Sequence, residues 1–324
     1  MKHKKIIVWG AKYDTGHTHA FTHAAFFEAA KYLKYDAYWL DNRDNVDESF
    51  FDNALIISEH WLIYNNPLGN RLPLRNSSTY VINYLGNKHR SHIDHYLNKV
   101  GRLIDLRFAC SWEDANWSYK FEKDKYTSIN HGHSFFEKGS EYDNVYSWWA
   151  TDLLPNQIHL KDANIQPKEP KFVFFSGTVR EDNKDIFDPF IRACSENSMQ
   201  FVYNTPWQTQ LPISELKRVS NEAYIVFESR SKFHVDNGYI PCRSFKNISY
   251  GQLGLTNSKA VYDYFDQEIA YSPDTYELFY VAKEMKSGER SVQTVKSVIR
   301  LMQEIREKHT FVNRLNDLIA ATEM

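Results

Sequence analysis

The stretch that decides the fold runs from Tyr224-Ile225-Val226-Phe227-Glu228-Ser229 through Gly238-Tyr239-Ile240-Pro241-Cys242-Arg243 to Leu253-Gly254-Leu255-Thr256-Asn257-Ser258. It reads as a buried strand at Tyr224 to Phe227, a polar loop, a helix opening at Pro241, and a second short strand at Leu253 to Thr256. Proline suits the first turn of a helix, where its missing N–H would find no partner anyway. The free N–H groups that follow make a positive, donor-rich pole suited to a phosphate. Arg243 sits just inside that pole, and Lys246 follows at i+3 on nearly the same face. Strand, cationic helix start and strand together predict a diphosphate-holding edge of an α/β sheet.

Outward from this stretch the pattern repeats. Lys5 to Gly10 predicts a strand closed by a glycine turn, followed by a helix over Thr18 to Leu33 and a strand at Ala37 to Leu40, the opening of a Rossmann-like unit. Apolar runs at Ala54 to Ile57, Tyr80 to Tyr84 and Leu103 to Ala109 continue it, whereas Ser111 to Tyr146 gives no clear assignment. Leu154 to Pro170 carries three prolines and reads as a linker. A second opening then follows, with a strand at Lys171 to Phe175, the turn Ser176-Gly177-Thr178, and a helix through Ile191 and Cys194. Apolar residues at 292, 295, 298, 299, 302, 305, 312, 315, 318 and 319 keep helical spacing. That final segment has a basic opposite face, which suits either packing on the core or contact with a membrane surface.

A chain of 324 residues has room for two such units. The net charge of −2 argues against a nucleic-acid binder, which needs a basic face. Cys110, Cys194 and Cys242 have no paired spacing, and no apolar run reaches membrane-spanning length, so a soluble, cytoplasmic protein is expected.

Phe227-Glu228-Ser229 and Tyr239-Ile240-Pro241-Cys242-Arg243 resemble the donor-binding half of nucleotide-sugar glycosyltransferases of the two-domain GT-B fold, nearest the fucosyltransferase-like and exostosin-like groups. The loop between the two elements is longer here, and Cys242 stands where that pattern has Glu, so no particular sugar carries over. The resemblance implies an α/β fold of two Rossmann-like domains facing a cleft. Residues 1–160 would bind the acceptor and residues 161–324 the nucleotide sugar, with the final helix packing back on the first domain. It further implies transfer of a sugar from a UDP- or GDP-linked donor to a hydroxyl of a glycan or glycoconjugate.

The candidate site residues follow from that chemistry. Sugar transfer needs a group that takes the acceptor hydroxyl's proton. The loop after the first strand offers His17, or Asp14 in its place, with Gly16 and His19 beside the acceptor. Gly16-His17 resembles the Gly-His of inverting glycosyltransferases, which implies inversion. The departing diphosphate gains negative charge, and preorganised cations and N–H groups stabilise it. Gly177, Thr178, Arg180 and Lys184 are candidates at the second opening, although Glu181, Asp182 and Asp185 offer Arg180 a plain surface pairing. Glu228, Tyr239, Arg243, Lys246 and Asn247 are candidates on the deciding stretch: Glu228 for a sugar or ribose hydroxyl pair, Tyr239 for stacking or simple packing. Asn237 and Gly238 would shape the turn between them, and Thr256-Asn257-Ser258 would line the same edge. Asp152, after Trp148-Trp149, is read as an acceptor-side residue and fallback base. His19 and His23 at i+4, with His89, His92 and His95, lack the carboxylate or thiolate of a zinc site. No carboxylate pair has the spacing of a metal-dependent transferase, so no metal is expected. A nucleotide-sugar epimerase, a DNA glucosyltransferase and a non-catalytic sugar- or nucleotide-binding subunit are the rival readings.

Overall fold

The β-branched run Ile6-Ile7-Val8 forms the buried strand β1 (Lys5–Trp9), flanked by parallel neighbours on both sides. Strands covered on both faces have no need to alternate apolar with polar residues, which is why this one reads as a continuous apolar run. The structure is a computed structural model describing residues 5–13, 18–59, 72–83, 85, 90–108, 126–130, 133–163, 172–179, 183–206, 208–209 and 211–324, with the backbone alone at 18, 19 and 90–92.

The chain divides into two compact units, the first ending at Trp148 and resuming with Lys308–Met324, the second covering Trp149–Glu307. In the first, β1, β2 (Ala37–Leu40), β3 (Ala54–Glu59), β4 (Thr79–Asn83) and β5 (Arg102–Phe108) run parallel. They continue into β8 (Asp143–Ser147), β7 (Ser134–Glu137) and β6 (Thr127–Ile129), giving the sheet order β2-β1-β3-β4-β5-β8-β7-β6. The last two pair antiparallel, in a region that sequence periodicity left unassigned. Three strands of three to five residues carry too few residues each for a period to show.

The helix Thr18–Tyr32 buries Thr22, Ala25, Phe26 and Ala29, an i, i+3, i+4, i+7 face. The closing helix Phe311–Ala321 packs on it, with the Phe26 and Phe311 rings 5.0 Å apart and edge-on. At the start of this last helix, the Asn313 side-chain oxygen accepts from both the N–H and the hydroxyl of Thr310.

The second unit opens on β9 (Phe172–Ser176), with β10 (Gln200–Asn204) on one side and β11 (Ile225–Val226) on the other, all parallel. A separate parallel pair, β12 (Leu255–Thr256) and β13 (Ala270–Tyr271), completes its strands. Phe227 anchors the core: Phe190 lies 4.1 Å and Phe187 5.4 Å from its ring, and Phe175 and Phe201 pack around it. Within the segment read as a linker, short 3-10 turns form at Pro155–Gln157 and Leu160–Asp162. Asp162 there pairs with Lys217 at 2.8 Å. Among the described residues no helix is long and apolar enough to cross a membrane.

Candidate functional site

Where β11 ends, Phe227 still donates its N–H to the Phe174 carbonyl at 2.8 Å, and Glu228 follows with only 1% of its surface exposed. Burying a lone carboxylate costs several kcal/mol, so it must be paired. Two guanidinium groups do this. Arg243 Nε donates to Glu228 Oε2 at 2.7 Å, and Arg230 Nε stands 2.8 Å from Oε1 as an ion pair without hydrogen-bond alignment.

Each arginine is held from a second side. Arg243 Nη1 donates to the Ser176 carbonyl at the end of β9 (2.9 Å), and its guanidinium lies 4.7 Å from the centre of the Phe175 ring. Gly177 makes this approach feasible: a Cβ there would fall 1.9 Å from Arg243 Nη1 and 2.5 Å from Phe175 Cζ. The backbone of Arg230 is clamped by Asn257, whose Oδ1 accepts from the Arg230 N–H (2.8 Å) while its Nδ2 donates to the Arg230 carbonyl (2.9 Å). The Arg230 guanidinium rests 5.3 Å from the Tyr239 ring, and the His234 ring lies 5.0 Å from it.

Arg243 lies on the helix Cys242–Ser249, capped by Pro241 in an extended conformation (ψ 154°). Proline therefore sits one position earlier than the sequence reading placed it, because its fixed φ serves an extended cap as well as a first helical turn. One turn on, Lys246 pairs with Asp152 at 2.9 Å, and the Tyr250 hydroxyl donates toward both Asp152 oxygens at 2.8 and 3.0 Å. Thr151 and Ser249 join their hydroxyls beside this pair at 2.7 Å.

The electrostatics follow from burial. Burial lowers the pKa of Arg230, against the pull of Glu228. It also pushes His234 down to about 4, helped by Arg230 and Arg243, so the imidazole is neutral at physiological pH. For Lys246, burial works against the charge, yet Asp152 outweighs it and the net shift is upward. Three cations (Arg230, Arg243, Lys246) stand against two carboxylates (Glu228, Asp152), leaving an excess positive charge beside a helix start. Glu228 Oε1, Arg230 Nε and the hydroxyls of Ser229, Ser244 and Ser258 are buried without hydrogen-bond partners.

The candidates from sequence separate accordingly. Gly177, Glu228, Tyr239, Arg243 and Lys246 come together in this unit, around the β9 and β11 ends and the helix start. Asp152, expected on the acceptor side, belongs to the second unit and pairs with Lys246, next to the Thr151–Ser249 contact. Asn247 is buried on the same helix, with its carbonyl accepting from the Gln252 N–H. Lys184 begins the exposed end of the helix Lys184–Glu196, and Thr178 follows Gly177. Asp14, Gly16, His17 and Arg180, and the His19 side chain, lie outside the described residues. His23 is engaged by the Gly10 carbonyl at 2.8 Å.

Sequence reasoning missed Arg230, His234 and Tyr250. Arg230 and His234 sit in a loop and a five-residue helix with no periodicity to flag them. The only available signal for Arg230 was its place two residues after a buried glutamate.

No protein-family model matches this sequence, and no curated protein matches it. Among solved structures, the chain is similar to the alpha,alpha-trehalose 6-phosphate synthase of Burkholderia multivorans at 9% identity and a TM-score of 0.46, over 99% of this chain and 98% of that one. It is also similar to the N-terminal domain of the Candida albicans trehalose-6-phosphate phosphatase at 9% identity and a TM-score of 0.38, over 83% of this chain and 69% of that one. Scores this low carry no argument about fold or function, and the reading that follows rests on the site itself.

Proposed function

We propose that the protein is a glycosyltransferase that moves a sugar from a nucleotide-sugar donor to a hydroxyl of a glycan or glycoconjugate, without a metal. The observation that carries this reading is the pair Arg243 and Arg230 on buried Glu228, at the carboxyl end of β11 and the start of a helix. Ligands of open α/β sheets gather at strand carboxyl ends, and a diphosphate is the ligand that such a cationic, donor-rich edge suits. Glu228 acts as a positioning residue, fixing both guanidinium planes so that little reorganisation is needed as charge develops.

The reaction is displacement at the anomeric carbon. The acceptor hydroxyl oxygen forms the new C–O bond, the bond from that carbon to the diphosphate breaks, and the leaving group departs with its electron pair onto Arg243, Arg230 and Lys246, with Arg180 and Lys184 as further donor contacts. His17, or Asp14, takes the hydroxyl proton, with Gly16 and His19 at the acceptor, and the product is inverted. Gly177 and Thr178 line the diphosphate, and Tyr239 the nucleoside side. UDP- and GDP-linked donors are the first to try.

The test is nucleoside diphosphate release from a panel of UDP- and GDP-sugars, with glycan acceptors present or absent and in EDTA. Acceptor-dependent release that survives EDTA and is lost in Arg243→Ala supports the reading. Donor conversion without an acceptor makes the protein an epimerase, and unchanged turnover in His17→Ala removes the base assignment.

A further inference from the structure

Lys286 is only 2% exposed, a rare place for an amine that carries a charge in water. It caps the helix Thr275–Met285, where its backbone N–H donates to the Ala282 carbonyl at 3.2 Å. Its Nζ donates to the Tyr224 carbonyl and lies 5.0 Å from the centre of the Tyr224 ring. Tyr224 leads into β11, and its own N–H donates to the Phe172 carbonyl on β9 at 3.0 Å. One side chain therefore ties the end of a helix to the start of the strand that runs to Glu228. Phe279 of the same helix packs edge-on against Phe190 at 5.7 Å, and Phe190 rests on Phe227 beside that glutamate.

The chemistry of this tie depends on the proton. A carbonyl and a ring face both attract an ammonium, but neither brings the full negative charge that would offset its lost water. Glu284, on the same helix, pairs instead with Arg290 at the surface (2.7 Å), and Lys283 donates to Asn197 Oδ1 (2.7 Å). The Tyr224 phenol, its pKa raised by burial, stays protonated near neutral pH. With no charged partner for Lys286 among the described residues, burial pulls its pKa down to about 8. The neutral amine still has hydrogens to donate to the Tyr224 carbonyl, and it sheds the cost of the buried charge. Water is close at hand: residues 287–290 are exposed, and Gly288 turns the chain there with a φ of 55°. Moving this turn brings a protonated Lys286 to solvent without unfolding the unit, because its long stem carries the charge outward.

We propose that Lys286 is a pH-sensitive catch between this helix and β11, closed as the neutral amine and released as the ammonium together with the turn at 287–290. The folded-state value lies below the unfolded one of about 10.4, so the fold binds fewer protons between the two. The stability this group allows is complete above about pH 10.4 and is lost as pH falls through 8. The catch is independent of what the end of β11 binds, and it is tested without any ligand.

Urea unfolding of the full chain at pH 6.5 and pH 9 tests it on the wild type and Lys286→Met, which keeps every other titrating group. Between those two pH values the unfolding constant of the wild type should fall by about tenfold more than that of the variant. Hydrogen exchange locates the effect. Relative to their intrinsic rates, the amides of residues 286–291 should be less protected at pH 6.5 than at pH 9 in the wild type, and equally protected at both in Lys286→Met. If the variant fails to fold, the wild type decides alone: one lysine Cε resonance should titrate near pH 8, apart from the rest. The same pH dependence in both proteins, a turn no less protected at pH 6.5, or every lysine titrating at its ordinary value would each overturn the proposal.

Discussion

Both units open the same way, with a first strand flanked by the second on one side and the third on the other, β2-β1-β3 and β10-β9-β11, yet they furnish the ends of those strands differently. In the first, β1 runs into Gly10, whose carbonyl takes bonds from His23 Nδ1 and Trp39 Nε1. There β3 ends at buried Glu59, whose carboxyl pKa is pushed well up by burial, and its register partner on β4 is Asn83. In the second, the third strand ends at Glu228 between two guanidinium groups. The same strand order therefore ends on a glycine turn and a buried carboxyl in one unit and on an ion-paired carboxylate in the other. Strand order sets where a ligand site can form, while the residues at the strand ends set what it holds.

The largest expected effect breaks the ionic edge. Glu228→Gln leaves two largely buried guanidinium groups without their carboxylate and should cost about 3–5 kcal/mol in urea unfolding. A loss within measurement error would mean the pair is not formed in solution. Next is Gly177→Ala, whose methyl group meets Arg243 and Phe175 and should cost about 2–3 kcal/mol while weakening nucleotide binding.

Titration sharpens the comparison because the two edges carry opposite signs. The folded-state value of His234 lies below its unfolded one, so its stabilising contribution is complete above about pH 6.5 and is lost as pH falls toward 4. That loss should reach about 2 kcal/mol, below what the full shift implies because water screens part of the ring, and vanish in His234→Phe. Glu59 is raised instead, so it favours the fold most below the ordinary carboxyl range, and stability falls as pH rises beyond it. Glu59→Gln should flatten that fall. Unfolding free energies at several pH values for both variants check the signs, and a shared sign would erase the distinction. The smallest effect is Tyr250→Phe, which removes the hydroxyl from Asp152 and should cost about 1.5 kcal/mol, leaving the pairing of Lys246 in place.

Much of this frame was legible in the sequence. Ile6-Ile7-Val8, Ala54 to Ile57 and Phe172 to Phe175 are apolar runs ended by polar or glycine turns, and local chemistry suffices to read them. Glu228 and Arg243 were each legible as polar residues at a strand end and a helix start. That they face each other was not, since they lie fifteen positions apart along loop and short helix and only the packed sheet brings them together. The place of Asp152 beside Lys246 was not legible for a related reason. Its nearest sequence landmark is the Trp148-Trp149 pair, but the unit boundary falls between those two residues, and Asp152 follows Trp149.

The most direct test of the central claim is a thermal-shift panel of UDP, GDP, CDP and dTDP on the wild type and Arg243→Ala, with and without magnesium. A ligand at a hundred times its dissociation constant adds about 2.7 kcal/mol, a shift of roughly 2–4 °C or more for a chain of this size. The account predicts that one nucleotide stabilises the wild type without magnesium and fails to stabilise Arg243→Ala. Stabilisation by none of the four, or equal stabilisation of the variant, would contradict it.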